Sequence, residues 1–226
     1  MMRSLKLITK CEGDVLHGVF IVPMLSCPYE AEHSSELNFI RNLDFVDPRP
    51  EGSKLPDIYP RFSKDTFILN SPELLHIRRF VESKINYFAR EVMQSDTELV
   101  ITQSWVNKIT KGSHHQSHTH PHSILSGVWY PAREEVFEPI TFMNTSPVRD
   151  VWLEPNKKTA FNQTSASMKI PVGKSLLLIF PSNLRHKVDF NSLDSPRFSL
   201  SFNTWSSGTL GSERRLTYLP ALALDI

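Results

Sequence analysis

From residue 99 onward the chain reads as a succession of short apolar or alternating stretches, at 99–107, 124–130, 139–143, 159–163, 167–171, 175–180, 185–190 and 197–205. Gly, Pro, Ser and Asn recur between them, the residues that let a backbone turn. Such stretches fit strands, and a strand buries its apolar side only against other strands or helices. Many short strands at close spacing close into a sandwich or barrel. The expected fold is therefore mostly β, a jelly-roll sandwich, with helices preceding it in the chain packed on the outside.

The first part of the chain supplies those helices. A strand is expected around 15–22 and a helix around 29–43, followed by an irregular loop at 46–62 holding four prolines and one glycine. Ser71-Pro72-Glu73 then opens the clearest helix: serine suits the N-cap, proline the first turn, and glutamate the positive end of the dipole. Its apolar residues Leu74, Ile77, Val81, Ile85, Phe88 and Val92 step by three or four and predict one buried stripe. At 226 residues a single domain is expected, with strands and helices over 1–98, a jelly-roll core over 99–205 and a tail over 206–226.

Composition narrows the function classes. A formal net charge of +1 argues against a nucleic-acid binder relying on a broad basic surface. No apolar run approaches the length of a membrane span, and the opening Met1-Met-Arg-Ser-Leu-Lys lacks the pattern of a signal peptide. Cys11 and Cys27 stand at no metal-type spacing and make no disulfide framework, so a reducing, cytoplasmic setting is expected.

Five of the nine histidines fall in Lys111-Gly-Ser-His-His-Gln-Ser-His-Thr-His-Pro-His122. Alternate residues of a strand share a face, with Cα atoms roughly 6.6 Å apart, so His118 and His120 at the start of a strand can converge on one ion. The solitary His186, from a neighbouring strand, completes a triangle that leaves coordination positions open, as oxygen chemistry on a first-row metal requires. No Asp or Glu occurs between Leu99 and Arg133, so that stretch offers histidine alone. His114, His115 and His122 read as surface residues or neighbours of the ligands. A solvated His-rich turn is the plainer reading of the same run.

Pro196-Arg-Phe-Ser-Leu-Ser-Phe-Asn-Thr-Trp205 alternates: Arg197, Ser199, Ser201 and Asn203 on one face, Phe198, Leu200 and Phe202 on the other. Either the polar face meets water, or it lines an internal pocket while the apolar face packs under helices. Arg197 lies eleven residues beyond His186, room for a strand, a turn and a return on the adjacent antiparallel strand. An arginine there can grip the far end of a dicarboxylate whose near end chelates the metal, with Ser199 adding a hydrogen bond.

Three motifs, His118-Thr-His-Pro-His-Ser-Ile-Leu-Ser-Gly-Val-Trp-Tyr130, Leu178-Ile-Phe-Pro-Ser-Asn-Leu-Arg-His186 and Arg197-Phe-Ser-Leu-Ser-Phe-Asn203, resemble the Fe(II)/2-oxoglutarate-dependent oxygenase superfamily. More narrowly they resemble an uncharacterised branch of marine bacteria and their phages, over about residues 60–205. The resemblance implies a double-stranded β-helix that uses Fe(II), 2-oxoglutarate and O2. It makes His118, His120 and His186 the metal ligands, with His120 where most members have Asp or Glu. Arg197 is implied to hold the 2-oxoglutarate side-chain carboxylate, Ser199 to complete an Arg-x-Ser pattern, and Ser126 and Tyr130 to line the pocket. It further implies hydroxylation of an unidentified substrate, such as a peptidyl or prolyl side chain, in the cytoplasm of a bacterium or phage-infected cell.

A cupin-type metalloenzyme is the nearest rival, since Gly112 before His118-x-His120 fits a cupin opening. It expects a glutamate four or five residues after His120, where Ile124 and Leu125 stand, and has no need of Arg197. A non-catalytic scaffold or phage particle protein keeping the same fold is the other alternative. Trp129 and Trp205, near the expected pocket, read first as core residues.

Overall fold

The computed structural model describes residues 22–54, 57–132, 136–145, 167–173 and 175–221. The strand expected at 159–163 lies outside these, as do nearly all of the one at 15–22 and Cys11. The architecture is two antiparallel sheets with helices on one outer face. Strands β1 (Leu25–Pro28), β2 (Phe45–Val46), β3 (Arg61–Ser63), β4 (Leu99–Ile109), β6 (Leu125–Tyr130), β9 (Leu176–Pro181) and β11 (Arg197–Ser206) form a seven-stranded sheet ordered β1-β9-β6-β11-β4-β3-β2. The facing sheet has four strands, β5 (His115–His118), β7 (Val136–Met143), β8 (Ser167–Gly173) and β10 (His186–Val188), ordered β5-β10-β7-β8. Each pairing between named strands is antiparallel. This is the mostly-β, double-stranded β-helix arrangement that the strand spacing and the motifs predict.

The seven-stranded sheet separates two apolar layers, which is why β9 reads as a nearly unbroken hydrophobic run. Trp129 of β6, Leu177 and Ile179 of β9, and Phe198, Leu200 and Phe202 of β11 face the helices. Val128, Tyr130, Leu178 and Phe180, one residue out of step, face the other sheet and meet Phe137, Ile140, Phe142, Val172 and Val188. Trp129 is fully buried, so its expected core role holds. Gly127 is required where it stands: a Cβ there would come within 2.2 Å of the Phe202 ring.

Helix α1 (Ser34–Arg41) is shorter than the 29–43 stretch expected. The Glu32 carboxylate accepts the backbone N–H of His33 (3.0 Å) and of Ser34 (2.9 Å), ending the extended chain just before the first turn. Helix α2 runs over Leu75–Tyr87, preceded by a 3-10 turn at Pro72–Leu74. Ser71 makes no side-chain cap; its carbonyl accepts the Leu74 N–H at 3.0 Å instead. The stripe buries Leu74, Ile77, Val81, Ile85 and Phe88 as expected, each worth about 1.5–3 kcal/mol against exposure. Val92 departs from it and is exposed. Phe88–Val92 is a π-helical turn, with the Met93 N–H reaching the Phe88 carbonyl at 2.9 Å. The wider turn rotates the face, and Ala89 is buried in Val92's stead. No helix among the described residues is long and apolar enough to cross a membrane.

Candidate active site

The site forms where the two sheets face one another, and the short strand β5 brings its first part. His118 is the last residue of β5 and lies opposite His186, the first of β10, in antiparallel register. Hence the His118/His120 pair sits at the end of a strand, not at the start of one. His120 falls in the loop beyond, where its N–H donates to the Ser182 carbonyl at 2.9 Å. That anchor turns the chain so that its ring meets the other two. Ring centroids are 4.3 Å apart for His118 and His186, 5.0 Å for His118 and His120, and 5.2 Å for His120 and His186.

One nitrogen from each ring lies within 4.8 Å of the others. Metal–imidazole bonds of about 2.1 Å bring ligand atoms to roughly 4 Å or less from one another, so a small inward turn of the rings closes on an ion. The tautomers suit one. His118 Nδ1 lies 2.7 Å from the Gln116 carbonyl oxygen, and His186 Nδ1 lies 2.9 Å from that of Leu184. A carbonyl only accepts, so in each neutral ring Nδ1 carries the proton and Nε2 keeps its lone pair for a cation. The Nε2 atoms of His120 and His186 approach to 3.4 Å, close enough for one proton or one ion to lie between them.

Burial makes these rings poor bases. Desolvation, reinforced by the neighbouring imidazoles, pushes His120 down to about 4. Desolvation also lowers His186 to about 3, against the Leu184 carbonyl, which raises it. His118 is lowered as well, chiefly by burial. All three are neutral at pH 7, the form a metal needs. Phe180 and Phe142 pack on His186 at centroid distances of 4.9 and 5.7 Å and hold its ring in place.

The same cavity is lined at other points by Arg197, Ser199, Ser201 and Tyr130. β11 carries the first three on its inward face, and all three are buried. The polar face of β11 thus lines a pocket rather than meeting water. One topological expectation fails: β10 and β11 belong to different sheets, so Arg197 lies across the sandwich from the strand of His186. The crossing lets one cavity join both.

Arg197 is 2% exposed, and its Nε finds no hydrogen-bond partner. One Nη donates to the Glu138 carbonyl at 3.2 Å, and the guanidinium lies 5.6 Å from the Tyr130 ring centroid. The Glu138 carboxylate is engaged by Ser192, through its backbone N–H at 3.0 Å and its hydroxyl. No carboxylate forms an ion pair with Arg197 among the described residues. A buried cation left this way is costly unless an anion arrives, and a planar fork suits a carboxylate. Three neutral imidazoles and one unpaired guanidinium fit a metal and a dicarboxylate.

Ser126 is placed differently. It is buried, but its hydroxyl is engaged with Ser182 Oγ (2.8 Å) and Asn203 Oδ1 (2.8 Å), and Gly127 and Val128 line the cavity beside it. Because Ser182 also holds the His120 backbone, Ser126 braces the loop of His120 from behind. Among the remaining histidines, His114 stacks on Phe190 at 4.3 Å and His122 is exposed. His115 lines the cavity, 4.2 Å from His118 between ring centroids. Trp105 and Asn107 of β4 line it too and were not singled out from the sequence. Period-two alternation put them on one face of a strand; what was missing was that this face looks inward, opposite Ser201 and Ser199 in the β11 register.

With this geometry in hand, the comparisons with known proteins are specific. Residues 103–203 match the family described as "Putative 2OG-Fe(II) oxygenase". The match runs from β4 to β11 and contains each of the three motifs, so the resemblance to the oxygenases holds. No curated protein sequence matches the chain. Solved structures share the fold at low identity. A Trichoplax adhaerens prolyl hydroxylase, in complex with a hypoxia inducible factor oxygen degradation domain peptide fragment, is 12% identical with a TM-score of 0.55, covering 86% of each chain. A Pseudomonas putida prolyl-4-hydroxylase is 10% identical with a TM-score of 0.54, covering 81% of this chain and 94% of its own. HygX of Streptomyces hygroscopicus, solved with nickel, 2-oxoglutarate and hygromycin B, is 14% identical with a TM-score of 0.52, covering 81% and 82%.

Proposed function

We propose, from the match of residues 103–203 to the family described as "Putative 2OG-Fe(II) oxygenase", that the protein is an Fe(II)- and 2-oxoglutarate-dependent dioxygenase acting as a hydroxylase, with 99–205 as its catalytic core. The observation that carries the reading is the buried Arg197, its Nε without a partner, in one cavity with three converging imidazoles. A metal-only site has no use for that guanidinium; a metal-bound dicarboxylate does.

In this reading His118, His120 and His186 hold the metal through unprotonated imidazole nitrogens. Arg197 binds the distal carboxylate of 2-oxoglutarate, Ser199 adds a hydroxyl beside it, and the Tyr130 ring closes the pocket against the guanidinium. Iron, 2-oxoglutarate and O2 together supply an oxidant for a C–H bond, while 2-oxoglutarate is converted to succinate and CO2. The chain's own part is to orient cofactor and substrate and to keep water from the reacting centre. The apolar lining from Val128, Ile140, Phe180 and Val188 serves the last purpose. A peptidyl or prolyl side chain is the substrate class supported by the fold shared with the prolyl hydroxylases, and a cytoplasmic setting by the sparse cysteines.

The test is O2-dependent succinate formation from 2-oxoglutarate by the iron-loaded protein, set beside the Arg197→Ala variant. Succinate release that needs far more 2-oxoglutarate in the variant supports the reading. A loaded protein that neither binds 2-oxoglutarate nor forms succinate removes it in favour of a scaffold.

A further inference from the structure

Beside the cavity lies a wider groove of about 500 Å³, which shares Trp105, Asn107, His115 and His118 with it. Its far wall comes from the proline-bearing loop between β2 and β3: Pro48, Tyr59, Pro60, then Phe62 at the start of the sheet. Among the described residues, no Asp, Glu, Lys or Arg lines it. The loop carries charges, and four of them, counting Arg61 at its end, are closed on one another, while Glu51 and Lys54 are exposed. Arg49 lies 2.6 Å from Asp47 and 3.5 Å from Asp57, while Arg61 lies 2.9 Å from Asp57 and 3.4 Å from Asp47. The ring of four joins the two ends of the loop and presents its rings and prolines as a wall.

Trp105 stands on the boundary. Its indole N–H donates to Asn107 Oδ1 at 3.2 Å, and Asn107 in turn donates to Ser201 Oγ at 3.0 Å. That chain of bonds ties the indole to β11, with the ring 6.1 Å from that of His120. The other side of the groove is β5, an edge strand paired with β10 among the described residues, with Gln116 and Ser117 exposed along it and their carbonyls accepting from His118 Nδ1 and Arg185. Gln103 adds a second exposed amide. Aromatic and proline faces beside exposed side-chain amides match a polypeptide's rings and peptide groups. They offer nothing to a charged group, whose desolvation there would go uncompensated.

We infer that this groove binds an uncharged, ring-bearing segment of polypeptide and that Trp105 positions it against the histidine triad. Nucleic acid is disfavoured because no Lys or Arg lines the groove among the described residues, Arg185 reaching only the Ser117 carbonyl at 3.5 Å, and polycationic small molecules because no Asp or Glu lines it. The inference takes from the proposed function only the direction of the substrate; the groove's preference is read by binding, without turnover.

The probes are blocked Gly/Ser octapeptides with Pro-Tyr, Lys-Lys or Asp-Asp at the centre, titrated into the full-length Zn(II)-loaded protein. The readout is the Trp105 indole N–H resonance, assigned through Trp105→Phe. The Pro-Tyr peptide is expected to move that resonance and to bind at least tenfold more tightly than either charged one. Tyr59→Ser, on the loop and away from the metal, is expected to weaken it several-fold while leaving metal binding unchanged. Equal binding of all three peptides, binding of none, or shifts confined to other tryptophans overturns the inference. Peptide binding in a protein that fails the succinate assay would keep the groove and discard the oxygenase reading; the converse would do the reverse.

Discussion

The cavity and the groove share four residues yet are built on opposite electrostatic plans. The cavity gathers imidazoles and a guanidinium without an ion-pair partner, and no carboxylate lines it among the described residues. The groove is lined by no Asp, Glu, Lys or Arg among the described residues, and four charges of the loop beside it pair with one another. The contrast teaches a division of labour. In the proposed reading, charge is concentrated where ions would be bound, and kept away where a substrate would be chosen by shape and polarity.

The largest effect that would break this contrast comes from the triad. His186→Ala should abolish stoichiometric Fe(II) binding in an anaerobic titration, and full retention of metal would take His186 out of the ligand set. Arg197→Ala comes next. Two charge-assisted hydrogen bonds are lost, so the 2-oxoglutarate requirement should rise about a hundredfold, with metal affinity spared. Because no carboxylate forms an ion pair with the buried guanidinium among the described residues, the variant without ligand should melt close to the parent. A large loss of melting temperature would make Arg197 a structural residue.

A third prediction follows from the missing carboxylate. With only neutral ligands, the metal's charge meets no protein anion, so metal and 2-oxoglutarate should each strengthen the other's binding. His120→Asp should raise metal affinity measured without 2-oxoglutarate about tenfold and reduce that mutual strengthening. Unchanged coupling in the variant would refute the charge argument.

A smaller effect is expected from pH. The imidazoles of His115, His120 and His186 are held at about 4, 4 and 3, below their ordinary range, chiefly by burial. Protons therefore bind the unfolded chain more readily. The stability tied to these groups is complete above about pH 6.5 and is lost as pH falls toward their folded values. Melting curves of the metal-free protein at pH 7 and pH 4.5 should show a fall, and His186→Asn should reduce its slope.

Several of these residues were legible in the sequence because they rest on local regularities. The Arg197, Ser199, Ser201 alternation survives intact, since a strand's period of two is a property of the backbone alone. The α2 stripe holds as far as Phe88 and fails at Val92, where one residue of extra winding breaks the count. β5 escaped notice because a polar four-residue edge strand carries no apolar pattern; its pairing with β10 makes it a strand. Trp105 escaped for a different reason. It lies in a recognisable strand, but which face of β4 looks inward depends on the sheet across from it.

By itself the sequence determined the kinds of group available: histidines without a nearby acid, one arginine on a polar strand face, strands rather than helices after residue 99. Those follow from composition and short-range periodicity, which a chain carries whether folded or not. Only the tertiary structure decided that Arg197 and His186 stand on opposite sheets of one sandwich, that Ser126 braces rather than lines, and that the proline-bearing loop walls a neutral groove. Each depends on which strands become neighbours, and that is set by the packing of the whole core.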